Sequence, residues 1–159
     1  SYRNIRVIFD VIKKSKSLQK KFIFEFYGNN DIQDQEINFF KLFNFKNNLN
    51  FKKALSKMTE VDYLLILHTE KSTSKEMVTS KFYDYLASRT PIINVSHGKN
   101  EVGEMIKKMK LGYNINYEKD DLETFFMKLK KTNKKNKWNK SFNYLSRDCQ
   151  NKKLLKMIS

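Results

Sequence analysis

The chain has 159 residues, 40% of them hydrophobic and 14% aromatic, with 32 basic against 17 acidic side chains and a formal charge of +15. This composition fits one folded domain with a full apolar core rather than a disordered segment, and no run approaches the roughly 18 apolar residues of a membrane span. The lone Cys149 excludes an internal disulfide, and His68 and His97, far apart in sequence, give no zinc-ligand spacing. With no signal-peptide pattern at its start, the chain reads as intracellular and metal-free.

The charge favours phosphates, nucleic acid or an anionic membrane surface. Lysine and asparagine are abundant throughout, so biased composition also accounts for much of it without a binding role. The densest basic stretch, from Lys128 to Lys140 with Trp138 inside it, is explained more simply as a solvated helix end and linker than as a nucleic-acid groove.

In chain order, Ile5, Ile8, Phe9 and Ile12 have the spacing of an amphipathic helix, and a strand from Phe22 to Tyr27 follows, ended by Gly28. A short strand is expected near Leu42 to Phe45. Asn50 is placed to cap a helix carrying Phe51, Ala54, Leu55 and Met58. Val61 to Leu67 is a nearly continuous apolar run, the pattern of a parallel strand buried on both faces. Ser80 to Ser88 predicts a short helix burying Phe82, Tyr85 and Leu86, with Lys81, Asp84 and Ser88 on its accessible side, and Pro91 opens a strand from Ile92 to Val95. Val102, Met105, Ile106 and Met109 mark a further helix, stopped by Gly112. A Tyr113, Ile115, Tyr117 alternation gives a strand, and Asp120 with Glu123 reads as a capping box for a helix burying Leu122, Phe125, Phe126 and Leu129. From Ser141 onward the tail reads as helical.

Strands alternating with helices at these intervals predict an α/β domain with a doubly wound parallel sheet and helices on both faces. Such a domain normally begins with a strand, whereas this chain opens almost directly with a helix. The first strand, and a whole preceding domain, are therefore expected to lie outside residues 1–159. In open parallel sheets ligands bind beyond the carboxyl ends of the strands, where helix N-termini aim backbone N–H groups at anions. The polar loop after Leu67 and the helix that follows occupy that position. They carry Glu76 and Asp84, two carboxylates eight residues apart, whose paired oxygens suit the hydroxyls of a sugar or ribose. The N–H groups of Thr79, Ser80 and Lys81 stand at the helix start, where a diphosphate would fit, and Lys81 adds a positive charge.

The order Phe26-Tyr27-Gly28, Asp62-Tyr63-Leu64-Leu65, Thr79-Ser80-Lys81-Phe82-Tyr83-Asp84-Tyr85-Leu86-Ala87 and Pro91-Ile92-Ile93 resembles the C-terminal, donor-binding domain of GT-B glycosyltransferases of the group 1 (family 4) type, over most of the chain. The resemblance implies a Rossmann-like half of a GT-B fold that binds a nucleoside-diphosphate sugar without a metal or other cofactor. The sugar would go to a polysaccharide, lipopolysaccharide or glycolipid acceptor. It also implies that Glu76 contacts the donor sugar and Asp84, where the family usually has glutamate, the nucleotide ribose. Arg3, in Tyr2-Arg3-Asn4-Ile5, stands where the family's first helix places a base that neutralises the departing diphosphate. The family's glycines in the phosphate loop are replaced here by Met77, Val78, Thr79 and Ser80. Nucleobase contacts are expected from Phe43 to Lys46.

The residues themselves leave plainer alternatives. Glu76 also reads as a loop carboxylate, Lys81 with Asp84 as an exposed i, i+3 ion pair, Arg3 as a solvated helix residue, His97 as part of a turn and Cys149 as a small buried apolar residue. No catalytic residue is identifiable. A sugar-nucleotide epimerase of the same fold and a basic nucleic-acid-binding α/β domain, stacking through Trp138 and Phe142, are the competing functions. The expected partners are the nucleotide-sugar donor, an acceptor domain outside the chain and, through the basic surface, the anionic inner face of a membrane.

Overall fold

A computed structural model describes residues 5–28, 41–68 and 80–131. The elements run α1 (Arg6–Lys14), α2 (Lys16–Lys21), β1 (Phe24–Tyr27), β2 (Phe43–Lys46), α3 (Phe51–Glu60), β3 (Leu64–Leu67), α4 (Ser80–Ser88), β4 (Ile92–Ser96), α5 (Glu101–Met109), β5 (Gly112–Asn116) and α6 (Lys119–Lys128). This is an α/β fold in which, among the described residues, every strand pairing is parallel. Among the described residues the strands form two sheets, β1-β2 and β3-β4-β5, rather than the single sheet expected. Side chains join the two. Phe43 of β2, Leu67 of β3 and Val95 of β4 share one buried cluster with Ile8, Phe9 and Ile12 of α1 and Leu122 and Phe126 of α6.

The larger sheet is covered on both faces. Alternation along β4 sends Ile93 and Val95 into the cluster beneath α1 and α6, and Ile92 into a second cluster with Ile66, Phe82 of α4, and Val102 and Ile106 of α5. All five residues of β4 are therefore buried. At about 25 cal/mol per Å² of apolar surface, this two-sided burial is the main favourable term in the fold. On the α1 and α6 side the cluster is largely aromatic. Phe126 meets Phe22 edge-on at 5.4 Å between ring centroids, and Phe24 stacks on Phe43 at 4.9 Å.

Several boundaries depart from the sequence reading, each for a local reason. β3 begins at Leu64, because Val61 is spent ending α3 and the Tyr63 hydroxyl donates to the Lys130 carbonyl at 2.7 Å. The unpredicted α2 has a single buried apolar residue, Leu18, and is set by Ser15, whose side chain accepts the Leu18 N–H. Gly112 does not stop α5. Lys110 takes the left-handed conformation there, at φ 55°, and Gly112 is instead the first residue of β5. Its φ is +149°, and a Cβ would lie 2.0 Å from the Ile92 carbonyl oxygen, so the close β4-β5 pairing requires glycine. The expected capping box at Asp120 is also replaced: α6 starts two residues earlier, with Glu118 at the N-cap and no side-chain cap hydrogen bond. Asn50 caps α3 as expected, accepting the Lys53 N–H at 2.9 Å. The tail from Ser141, with Phe142 and Cys149, lies outside the described residues, as do Lys134 to Lys140 and Trp138.

Candidate functional site at the carboxyl end of the sheet

Parallel pairing places the carboxyl ends of β3, β4 and β5 along one edge, and α4 and α5 start from that edge as they return across the sheet. Of the residues proposed from sequence, Ser80, Lys81 and Asp84 are described, together on the first half of α4. Glu76, Thr79 and Arg3 lie outside the described residues. Phe82 anchors α4 by full burial, and the Tyr85 hydroxyl donates to the Leu65 carbonyl at 3.4 Å. This fixes which side of the helix faces outward: Ser80 and Lys81 are exposed and Asp84 is half-buried. The Asp84 carboxylate forms no hydrogen bond or ion pair among the described residues. The Lys81–Asp84 pair weighed above is therefore not formed.

Ser88 does not share that accessible side. It is buried, donates to the Tyr85 carbonyl at 2.8 Å and accepts the Thr90 N–H at 3.3 Å, so its hydroxyl completes the C-terminal turn of α4. A position i+4 from Asp84 reads as the same face, but the short exit into β4 draws Ser88 inward. His97 is exposed in a turn and stacks on buried Tyr117 at 4.2 Å.

Beside α4 lies an ordered polar network that the sequence reading did not assemble. Asn94, fully buried in the middle of β4, donates to Asn114 Oδ1 at 2.7 Å and to Asn100 Oδ1 at 3.5 Å. With both amide hydrogens given, its Oδ1 is the atom 2.9 Å from His68 Nε2, so that ring nitrogen is the donor of this bond. Asn100 caps α5 by accepting the Gly103 N–H at 2.8 Å and donates onward to the Ser96 hydroxyl, which reaches the Gly98 carbonyl. Gly103 lets the helix come this close, because a Cβ there would fall 2.6 Å from the Asn114 amide. One signal was visible in sequence: an asparagine within Ile92-Ile93-Asn94-Val95, a run otherwise fit for a doubly buried strand, must find partners.

At the carboxyl end of β1, Lys46 is ion-paired with Glu25 and also reaches the Tyr27 hydroxyl at 3.4 Å. The hydrogen bond from Lys46 holds the Glu25 carboxyl below its usual range. Next to it a shallow cavity of about 270 Å³ is lined by Tyr27, Leu49, Lys53, Ser56, Lys57 and Glu60. It contains none of the proposed donor residues. Of the segment expected to meet a nucleobase, Phe43 and Phe45 are committed to stacking with Phe26. Among the described residues no group of three His, Cys, Asp or Glu side chains could hold a metal ion, and no helix is long and apolar enough to cross a membrane. No family model matches the chain, and neither a characterised protein nor a solved structure matches it.

Proposed function

We propose that the chain is a nucleotide-sugar-binding α/β domain. More narrowly, the reading is the donor-binding half of a GT-B glycosyltransferase, serving the assembly of a polysaccharide, lipopolysaccharide or glycolipid. The observation that carries it is Asp84: a half-buried carboxylate without a partner among the described residues, on a helix that starts from the carboxyl edge of a parallel sheet. A carboxylate in that place is suited to a ribose or sugar diol. Ser80 and Lys81 at the same helix start offer an N–H group and a cation to a diphosphate. Glu76 and Arg3 complete the proposed donor contacts from sequence alone.

The test is thermal denaturation with a panel of nucleoside diphosphates and their sugar conjugates. A ligand at about 100 times its Kd adds roughly 2.7 kcal/mol, a rise of several degrees in a domain of this size. A rise confined to one base and lost in Asp84→Ala and in Glu76→Ala is the expected result. A rise that survives both substitutions would refute the assignment. Because the reaction in such enzymes takes place between two domains, residues 1–159 alone are expected to bind donor weakly and to transfer no sugar. Labelled-donor turnover by this chain would contradict that.

A further inference from the structure

At the opposite, amino edge of the sheet, two large apolar side chains stand in solvent. Ile23, just before β1, is 71% exposed, and Met127, in the last turn of α6, is 48% exposed. Both flank a contact between α2 and α6. The Lys21 ammonium donates to the Phe126 and Met127 carbonyls at 3.0 and 2.9 Å, and Phe22 packs edge-on against Phe126. The end of α2 and the end of α6 are thus held together, and Ile23 and Met127 each follow directly on a residue of this contact. Exposed lysines flank it, Lys16 and Lys20 on α2 and Lys128, Lys130 and Lys131 at the end of α6. α2 contains no acidic residue, and the acidic residue nearest to Met127 along α6 is Glu123, one turn earlier and half-buried.

We infer that this edge docks on an anionic lipid surface, with Ile23 and Met127 entering the headgroup layer and the flanking lysines held by lipid phosphates. A bilayer matches both parts of the patch: basic side chains gain from the negative surface potential, and aliphatic side chains gain from leaving water at the acyl boundary. Single-stranded nucleic acid would use the lysines, but its bases stack on aromatic or guanidinium planes rather than on an isoleucine and a methionine. The overall charge of the chain suggested a membrane without saying where, and the aliphatic pair gives the contact its place. Docked this way, the carboxyl edge with Asp84 stays turned away from the lipid. The inference does not depend on donor binding.

The test is partition of the whole chain onto phosphatidylcholine vesicles with and without phosphatidylglycerol, at low and near-physiological salt and with no nucleotide present. Partition is expected only with the anionic lipid. Lys16→Glu with Lys20→Glu should lower it about 30-fold or more, because each basic residue near such a surface contributes about fivefold. A charge-matched control on α5, Lys107→Glu with Lys108→Glu, should lower it less than about threefold. Ile23→Asn should lower it about tenfold while leaving the melting temperature unchanged. Equal losses from the two charge-reversed pairs, undiminished partition of Ile23→Asn, or absence of partition onto anionic vesicles would each overturn the inference. So would binding to single-stranded DNA that exceeds vesicle binding and ignores Ile23. Because no nucleotide is present, failure here leaves the donor proposal standing, and failure of the nucleotide panel leaves this one standing.

Discussion

The two edges of the sheet are finished by different physics. At the amino edge the contacts are rings and aliphatic chains: Phe22, Phe24 and Phe126 close against one another, and Gly112 lets β5 lie tightly on β4. At the carboxyl edge the contacts are amides, a hydroxyl and an imidazole: His68, Asn94, Ser96, Asn100 and Asn114. Apolar packing is non-directional and tolerates adjustment. Buried hydrogen bonds fix direction, and each group left unpaired is costly. The edge where the proposed donor would bind is the one held by directed bonds.

Substitutions at the two edges should separate these contributions. The largest effect is expected at Gly112→Ala, where a methyl group would press on the Ile92 carbonyl in a conformation L-residues rarely adopt. Loss of about 5 kcal/mol or more, seen as failure to give a cooperative urea transition, is the expected outcome. Phe126→Ala, which opens a cavity between α2, β1 and α6, should cost about 3–4 kcal/mol with an unchanged m-value. At the carboxyl edge, Asn94→Ala takes the partner from the buried His68 Nε2 and one hydrogen bond from exposed Asn114. A loss of about 2–3 kcal/mol is expected, largely restored in no single second-site change, since three residues share that amide. An Asn94→Ala protein as stable as the parent would mean that the network contributes nothing.

The smallest of these effects depends on pH. Burial, reinforced by neighbouring Tyr113, pushes the Tyr63 hydroxyl up to about 12 from an ordinary 10. The folded state therefore holds this proton where the unfolded chain has lost it. The stabilisation is complete below pH 10 and fades between about pH 10 and 12. Because Tyr63 is partly open to water, the fade should amount to only about 1 kcal/mol. Alkaline melts of Tyr63→Phe should lack this component, and an unchanged alkaline limb would show that the hydroxyl is not coupled to folding.

The elements most legible in sequence were those with a single dominant periodicity. Ile8, Phe9 and Ile12 defined α1, and Phe82, Tyr85 and Leu86 defined α4 with the bounds later observed. α2 had no such pattern, since one buried leucine among three lysines, a serine and a glutamine cannot announce a face. Gly112 was read as a helix stop because glycine commonly serves as one, whereas the space beside Ile92 that demands it comes from another strand. The candidate site divides in the same way. Lys81 and Asp84 follow from helical geometry, but the His68–Asn94–Asn114 network joins three strands and becomes visible only when their order is known.

The Asn94–Asn114 contact also bears on how the sheet chooses its alignment. Leu64-Leu65-Ile66-Leu67 and Ile92-Ile93-Asn94-Val95 are nearly interchangeable rows of aliphatic side chains. Sliding one parallel strand by two residues keeps every side chain on its proper face, so hydrophobicity alone separates such states weakly. In the native ladder Asn94 lies directly opposite Asn114. A two-residue slip of β4 against β5 would part the amides and leave the fully buried Asn94 without its partner on β5. The pair thus carries information that the surrounding hydrocarbon cannot: it distinguishes the native alignment from its nearest imitations, at the strand where all the larger sheet's pairings meet.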